Sequence, residues 1–366
     1  MDIGIATFQW ADNYGAVLQA WALQHALSKR GHRVEIIDYR LPDPPLLRRW
    51  LSATPAGCIR KWQEQWKRRT FESFRRRRLI RTPESYRSVA ELARLADRYD
   101  MLITGSDQVW NPCWLNQVAG LYEFYTLSFA GARTRRVAYA ASYGHAELES
   151  MPPEGRAILA DALKAFDAIS VREASGVEMT ADLCGRTDAV HMPDPTVLLD
   201  TAEYREFLGN SAYPEPPGLY VYMLHNGERE VAPWVHALSD DYQWPVRWCN
   251  LKDTGLRRGR EMPAPEKWLQ RIRDAAFVVT NSYHCVLFCL QFHTPFAAVP
   301  VTGPLAPMNA RVLELLDRCG LRDRWVDGSG TLSAARNFDS INWEEADRMR
   351  AALRQTAFNY MTALGV

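Results

Sequence analysis

Residues 3–39 read IGIATFQWADNYGAVLQAWALQHALSKRGHRVEIIDY. Ile3–Phe8 is a short apolar run, as expected of a strand buried on both faces of a parallel sheet. A polar loop, Gln9–Tyr14, follows. Ala16, Ala20, Leu23 and Leu27 then recur on one helical stripe, which stops near Gly31, a residue suited to ending a helix. Val34–Tyr39 is the next apolar strand. Strand, helix and strand in this order make a βαβ unit, so a doubly wound α/β sheet is expected.

Downstream, residues 40–98 break that rhythm. Prolines cluster at 42, 44 and 45, and a helix over about 58–80 is rich in Arg and Trp. Its run Arg75-Arg76-Arg77-Arg78 reads either as a solvated helix face or as a surface for acidic lipid or a polyanionic substrate. The α/β pattern then resumes, with strands at Asp100–Thr104, Arg136–Ala141, Ala168–Val171 and Ala189–Met192 and a helix over about 154–166. Pro214, Pro216, Pro217 and Gly218 mark a fresh start. Leu219–Leu224, Pro245–Cys249, Ala276–Thr280 and Pro295–Val299 are the strands of a second series, and Trp343–Leu364 is a closing helix. The expected organisation is two Rossmann-like domains facing a cleft. The first spans residues 1–200, with a basic helical insertion at about 40–98, and the second spans 201–366. Ligands of such sheets bind beyond the carboxyl ends of the strands.

A chain of 366 residues suits two domains of roughly 150–200 residues each. With a net charge of +1, it lacks the global field that draws a protein to nucleic acid. The seven cysteines form no Cys-x-x-Cys pair, which argues for reduced thiols rather than a disulfide framework or a zinc site. Met1–Phe8 is too short for a signal peptide, and no apolar run approaches the ~20 residues that span a bilayer. A cytoplasmic location is expected, with any lipid-linked substrate reached from the inner face of the membrane through weak peripheral contact. Oligomeric state is not legible.

Five strand ends run into small or polar clusters, where an open α/β sheet places its ligands. The first is Asp12-Asn13-Tyr14-Gly15. Gly105-Ser106-Asp107-Gln108 and Ser142-Tyr143-Gly144 follow, then Ser170-Val171-Arg172-Glu173 and Asn281-Ser282-Tyr283-His284. Only Gly15 of a dinucleotide fingerprint is present, which disfavours a nicotinamide or flavin cofactor. The helix start at Tyr14-Gly15-Ala16 still offers free N–H groups to an anion. His284, on the first turn of an apolar helix, is a candidate acid or base near neutral pH, or a partner for phosphate. Arg172 has a fork suited to carboxylate or phosphate, and Arg311 is a second candidate of that kind. Trp10 and Trp110 lie in or beside strand-end loops, where a ring can stack on a sugar. Asp107 and Asp194 are possible cation ligands without a sequence partner. Zincin, P-loop and nucleophile-elbow motifs are absent.

At these residues the chain resembles the polysaccharide pyruvyl transferase family. The likeness is carried by Gly4-Ile5-Ala6-Thr7-Phe8, Asn13-Tyr14-Gly15-Ala16-Val17-Leu18-Gln19-Ala20 and Thr104-Gly105-Ser106-Asp107-Gln108-Val109-Trp110-Asn111. Ala138–Ser142, Ser170–Glu173 with Ser175, and Pro193-Asp194-Pro195-Thr196 add to it. Thr280–His284 with Pro295-Phe296 completes it. The resemblance implies a glycosyltransferase-B-like architecture, often with a final helix that crosses back to the first domain. It also implies transfer of the enolpyruvyl group of phosphoenolpyruvate to a saccharide, usually as a ketal, with release of phosphate. In that chemistry Arg172 would hold a donor anion, and His284 would supply the proton or steady the leaving phosphate. Asn13, Tyr14, Gly15, Ser106, Asp107, Gln108, Trp110, Ser142, Asn281, Ser282 and Arg311 would line the substrate site. No metal or organic cofactor is required, phosphoenolpyruvate being the donor substrate.

One departure stands out. Ser282-Tyr283-His284 occupies the place where many family members carry Arg-Leu-His. The missing Arg would grip the donor, and Arg311 is the candidate to compensate. The alternatives are a nucleotide-sugar glycosyltransferase on the same architecture and a non-catalytic saccharide-binding member of the family. The acceptor is nucleotide-linked, lipid-linked or a small glycoside.

Overall fold

The computed structural model describes residues 1–40, 55–116, 120–144, 151–209, 217–224, 227–249, 260–327 and 341–366. The prolines at 42, 44, 45, 214 and 216 lie outside the described residues. Two parallel sheets organise the chain. The first contains β1 (Asp2–Ala6), β2 (Arg33–Ile36), β3 (Met101–Thr104), β4 (Arg135–Ala141), β5 (Ala168–Val171) and β6 (Val190–His191). The second contains β7 (Leu219–Tyr222), β8 (Val246–Cys249), β9 (Arg260–Glu261), β10 (Phe277–Thr280) and β11 (Phe296–Ala298).

Strand order fixes where each sheet can hold a ligand. The first runs β2-β1-β3-β4-β5-β6, so the chain moves outward from β1 on one side and returns to start again on the other. Its switch point lies between β1 and β3, which pair in register from Ile3 with Met101 to Ala6 with Thr104. The second runs β11-β10-β7-β8-β9, with its switch between β7 and β10. Adjacent strands diverge into opposite crossovers at these two points, leaving a crevice at their carboxyl ends.

The first helix, Tyr14–Lys29, shows how sequence and packing agree. Asn13 caps it, its side chain accepting from the Ala16 N–H. Thirteen of its sixteen residues are buried, because it packs on its own sheet and on the second unit as well. Tyr14 stacks on Trp268 at 4.7 Å and 7°, and its hydroxyl donates to the Pro263 carbonyl at 2.7 Å. One apolar core therefore runs from Ile3 and Ile5 through Val17 and Leu23 to Val278 and Phe288. Tyr14, expected in the substrate site, belongs to this core.

The helix Trp343–Ala363 returns to the first sheet. Arg354 Nε donates to the Leu198 carbonyl at 2.8 Å, and Arg135 Nη1 donates to the Leu364 carbonyl at 2.7 Å. The expected crossing back of the final helix is present. Among the described residues no helix is long and apolar enough to cross a membrane.

The basic run on the helix Pro55–Arg78 fits neither of its two readings at Arg75. That side chain is 5% exposed. Its Nε donates to the Gln9 carbonyl at 2.6 Å, and Nη2 reaches the Trp10 and Ala11 carbonyls and Asp12 Oδ1 at 2.9, 2.9 and 2.7 Å. Arg75 thus ties down the loop after β1. Arg76 pairs with Glu72, and Arg77 and Arg78 both reach Glu266.

Candidate functional site

A cavity of about 650 Å³ opens where the two switch points face each other. The loops after β1 and β3 supply Trp10, Asn13 and Gln108, while those after β7 and β10 supply Leu224, Asn281 and His284. Arg311, on the helix Asn309–Arg318, closes the far wall.

His284 enters on the first turn of the helix Tyr283–Phe292, capped by Ser282, whose side chain accepts from the Cys285 N–H at 3.4 Å. This cap gives Ser282 a structural task at the cavity edge. Asn281 Oδ1 likewise accepts from the Leu224 N–H at 2.8 Å, tying the β10 loop to β7. The imidazole Nε2–H donates to Asp194 Oδ2 at 3.1 Å. Its other face lies on Gly15. A Cβ added at Gly15 would stand 2.1 Å from His284 Nδ1, well inside contact distance, so only glycine leaves room for the ring. Gly15 therefore seats the candidate acid.

Asp194 is fully buried, and every acceptor site on it is used. Oδ1 takes the N–H and hydroxyl of Thr196 at 3.0 and 2.8 Å, and Oδ2 takes His284 and Arg172. Burial opposes its ionisation, but His284, Arg172 and the Thr196 N–H outweigh it and hold the carboxyl well below the usual range. This residue was expected only as a possible cation ligand. The cation it meets is a guanidinium.

Arg172 is buried among three carboxylates. Nη1 reaches Asp194 at 3.2 Å and Asp107 at 3.4 Å, and Nε donates to Glu173 at 3.2 Å. Burial disfavours its charge, yet these carboxylates raise its pKa above an ordinary arginine's. Its Nη2 is buried without an acceptor. Asp107 reaches this cluster from a left-handed backbone, φ 72°, which Asp tolerates better than most residues. Ser142 Oγ donates to Glu173 at 2.8 Å and so positions a carboxylate instead of lining the cavity.

Arg311 is the opposite case. Its Nε is buried without an acceptor, and it makes no ion pair with any described residue. Burial of its guanidinium, then repulsion from Arg172, pushes its pKa below the ordinary value, against the opposing pull of Glu173 and Asp107. Both guanidiniums lie against the Tyr283 ring, at 5.5 Å for Arg172 and 5.8 Å for Arg311. A half-buried guanidinium without an ion-pair partner on a cavity wall is open to a ligand anion.

Besides Tyr14 and Ser142, two more expected site residues are elsewhere. Trp110 is fully buried between Tyr143 and Phe166, its Nε1 donating to the Tyr125 carbonyl at 3.3 Å. It is core, because its bulk fills the space behind the β3 loop. Ser106 is also fully buried, its hydroxyl donating to the Ala140 carbonyl at 2.7 Å, so it serves strand packing. Trp114, four residues beyond Trp110, lines the cavity together with Trp10. Sequence reasoning missed it, along with the Asp194–His284 pair and the Arg75 clamp.

With this geometry in view, the polysaccharide pyruvyl transferase family model matches residues 13–302. The chain belongs to that family. The matched span starts at the Asn13 cap, includes Arg172, Asp194 and His284, and ends before Arg311. No curated protein matches the chain in sequence. Among solved structures, the UDP-GlcNAc 2-epimerase of Neisseria meningitidis superposes with a TM-score of 0.57 at 9% identity, covering 100% of this chain and 99% of that one. The UDP-GlcNAc 2-epimerase of Methanocaldococcus jannaschii gives 0.55 at 10%, covering 98% and 99%. An alpha-glucosyltransferase in complex with UDP and a 13-mer DNA gives 0.52 at 12%, covering 98% and 95%. At such identities the likeness concerns the fold. This pyruvyl transferase family member has the glycosyltransferase-B-like architecture.

Proposed function

We propose that the protein transfers the enolpyruvyl group of phosphoenolpyruvate to saccharide hydroxyls, forming a pyruvate ketal and releasing phosphate. The observation that carries this reading is Arg311, a guanidinium with no ion-pair partner among the described residues, on the wall of the cavity that also holds His284. It stands where a donor carboxylate or phosphate would complete it, and it makes up for the serine at position 282.

The reaction balances with the groups present. A proton from the His284 imidazolium adds to the donor methylene carbon, which becomes a methyl group. The oxocarbenium-like centre so formed takes a sugar hydroxyl oxygen as the phosphate C–O bond breaks. The second hydroxyl closes the ketal. Of the two protons lost by the diol, one replaces the proton given by His284 and one leaves with phosphate. Asp194 holds Nε2 and so fixes the ring, leaving Nδ1, over Gly15, as the nitrogen that exchanges the proton. Arg172, neutralised by its carboxylates, positions Asp194 and Asp107. We place the protein in the cytoplasm, where this donor and a lipid- or nucleotide-linked acceptor would meet.

The test is the melting temperature with and without millimolar phosphoenolpyruvate, in the wild type and in Arg311→Ala. Ligand at 100 times its dissociation constant adds about 2.7 kcal/mol to stability. The expected result is a rise that the variant lacks. No rise in the wild type overturns the donor and favours a nucleotide sugar. A rise of the same size in Arg311→Ala puts the anion site elsewhere.

A further inference from the structure

The cavity wall supplied by the first sheet differs from the wall that carries Arg311. Phe8, Trp10 and Trp114 form a continuous aromatic group there, with Phe8 5.2 Å from Trp10 and 6.4 Å from Trp114. Phe8 is nearly covered, and Trp10 anchors its Nε1 on the Tyr125 hydroxyl at 3.0 Å. Trp114 is 42% exposed. With Phe8 and Trp10 beside it on the same concave wall, its open face extends an apolar surface of the kind on which ligands dock.

The indole is also aimed. Trp114 Nε1 donates to Gln108 Oε1 at 3.3 Å, and Asn111 Nδ2 donates to the same oxygen at 2.7 Å. Two donors on Oε1 fix the amide orientation. Gln108 lines the cavity, and its Nε2 group finds no acceptor among the described residues. The charges nearby are already engaged, Asp12 by Arg75 at 2.7 Å and Asp107 by Arg172. This wall therefore offers an apolar ring face and an amide donor, with Lys67 also on the cavity.

We propose that Trp114 and Gln108 form the acceptor subsite. A neutral pyranose lays its C–H face on the indole, and one of its hydroxyls accepts from Gln108 Nε2. The hydroxyls at the opposite edge of the sugar then face the centre of the cavity, toward His284. The proposal rests on the saccharide-acceptor reading above and names the side of the cleft that selects the acceptor.

Saturation-transfer NMR with the methyl glycosides of glucose, galactose and N-acetylmannosamine, and separately with UDP, tests it. At least one glycoside should bind the wild type saturably. Trp114→Ala should weaken it at least about tenfold, a change equal to 1.4 kcal/mol. Trp114→Phe should restore most of the binding, and Gln108→Leu should weaken it with Trp114 intact. Bound glycoside should also slow alkylation of the exposed Cys113 beside Trp114, read by mass spectrometry at pH 8. Cys249, whose thiol burial pushes up to about 12, stays unmodified as an internal control. The phosphoenolpyruvate melting shift should be unchanged in Trp114→Ala. Glycoside binding that ignores the Trp114 and Gln108 changes overturns the subsite, as does a wild type that binds none of the glycosides. UDP binding lost in Trp114→Ala without glycoside binding makes the shelf a nucleobase platform and also overturns it. If phosphoenolpyruvate gives no shift while glycoside binding still depends on Trp114, the donor reading fails and the subsite stands.

Discussion

Arg172 and Arg311 hold their guanidiniums at 5.5 and 5.8 Å from the same phenol ring, in opposite electrostatic settings. Arg172 pairs with Asp107, Glu173 and Asp194, while Arg311 forms no ion pair with a described carboxylate and feels Glu173 and Asp107 only from farther away. Burial is the leading influence on both, and the carboxylates decide its outcome: the pKa of Arg172 rises and that of Arg311 falls. A buried cation that the fold has neutralised is part of the architecture. A half-buried cation without an ion-pair partner is open to an anion that arrives later. On the proposed reading one arginine positions and the other binds, although the sequence offers both as similar forks at strand or helix ends.

Removing the matched arginine should have the largest effect. Arg172→Ala strands three carboxylates and should cost about 3–5 kcal/mol in urea unfolding. A loss below about 1 kcal/mol would show that the cluster does not depend on its cation. Gly15→Ala comes next. A methyl group on the site of the His284 ring should lower kcat about 100-fold, as an ångström-scale displacement does, with urea stability less affected than in Arg172→Ala. Undiminished turnover would mean the ring is not where the proton is handled. The smallest effect has the opposite sign. Arg311→Met keeps the apolar stem and removes an unmatched charge, so stability without ligand should hold or rise by up to about 1 kcal/mol. A loss as large as that of Arg172→Ala would end the distinction.

Much of the fold is legible because its strands are buried apolar runs. Ala168–Val171 and Phe277–Thr280 announce themselves within a residue of their ends. Strand β9, Arg260–Glu261, does not: two charged residues at a sheet edge have no hydrophobic period to read. In the site, His284 and Arg311 were legible because an apolar helix and two prolines frame them. The Asp194–His284 contact spans 90 positions and exists only after the two sheets pack. Arg75 sits in a run of four arginines, and nothing local separates the buried one from its exposed neighbours. Trp110 and Trp114 illustrate the same limit. The short helix Pro112–Leu115 carries one indole to the surface while the strand-end loop sinks the other, a choice made by tertiary packing.

The stack of Tyr14 on Trp268 has a thermal consequence. It joins the first helix of one sheet to a helix of the other through a shared apolar core, with the final helix laid across both. Neither half can melt without exposing the inner surface of its partner. Scanning calorimetry should therefore record one endotherm, with a van't Hoff enthalpy close to the calorimetric enthalpy, where two loosely hinged domains would give two.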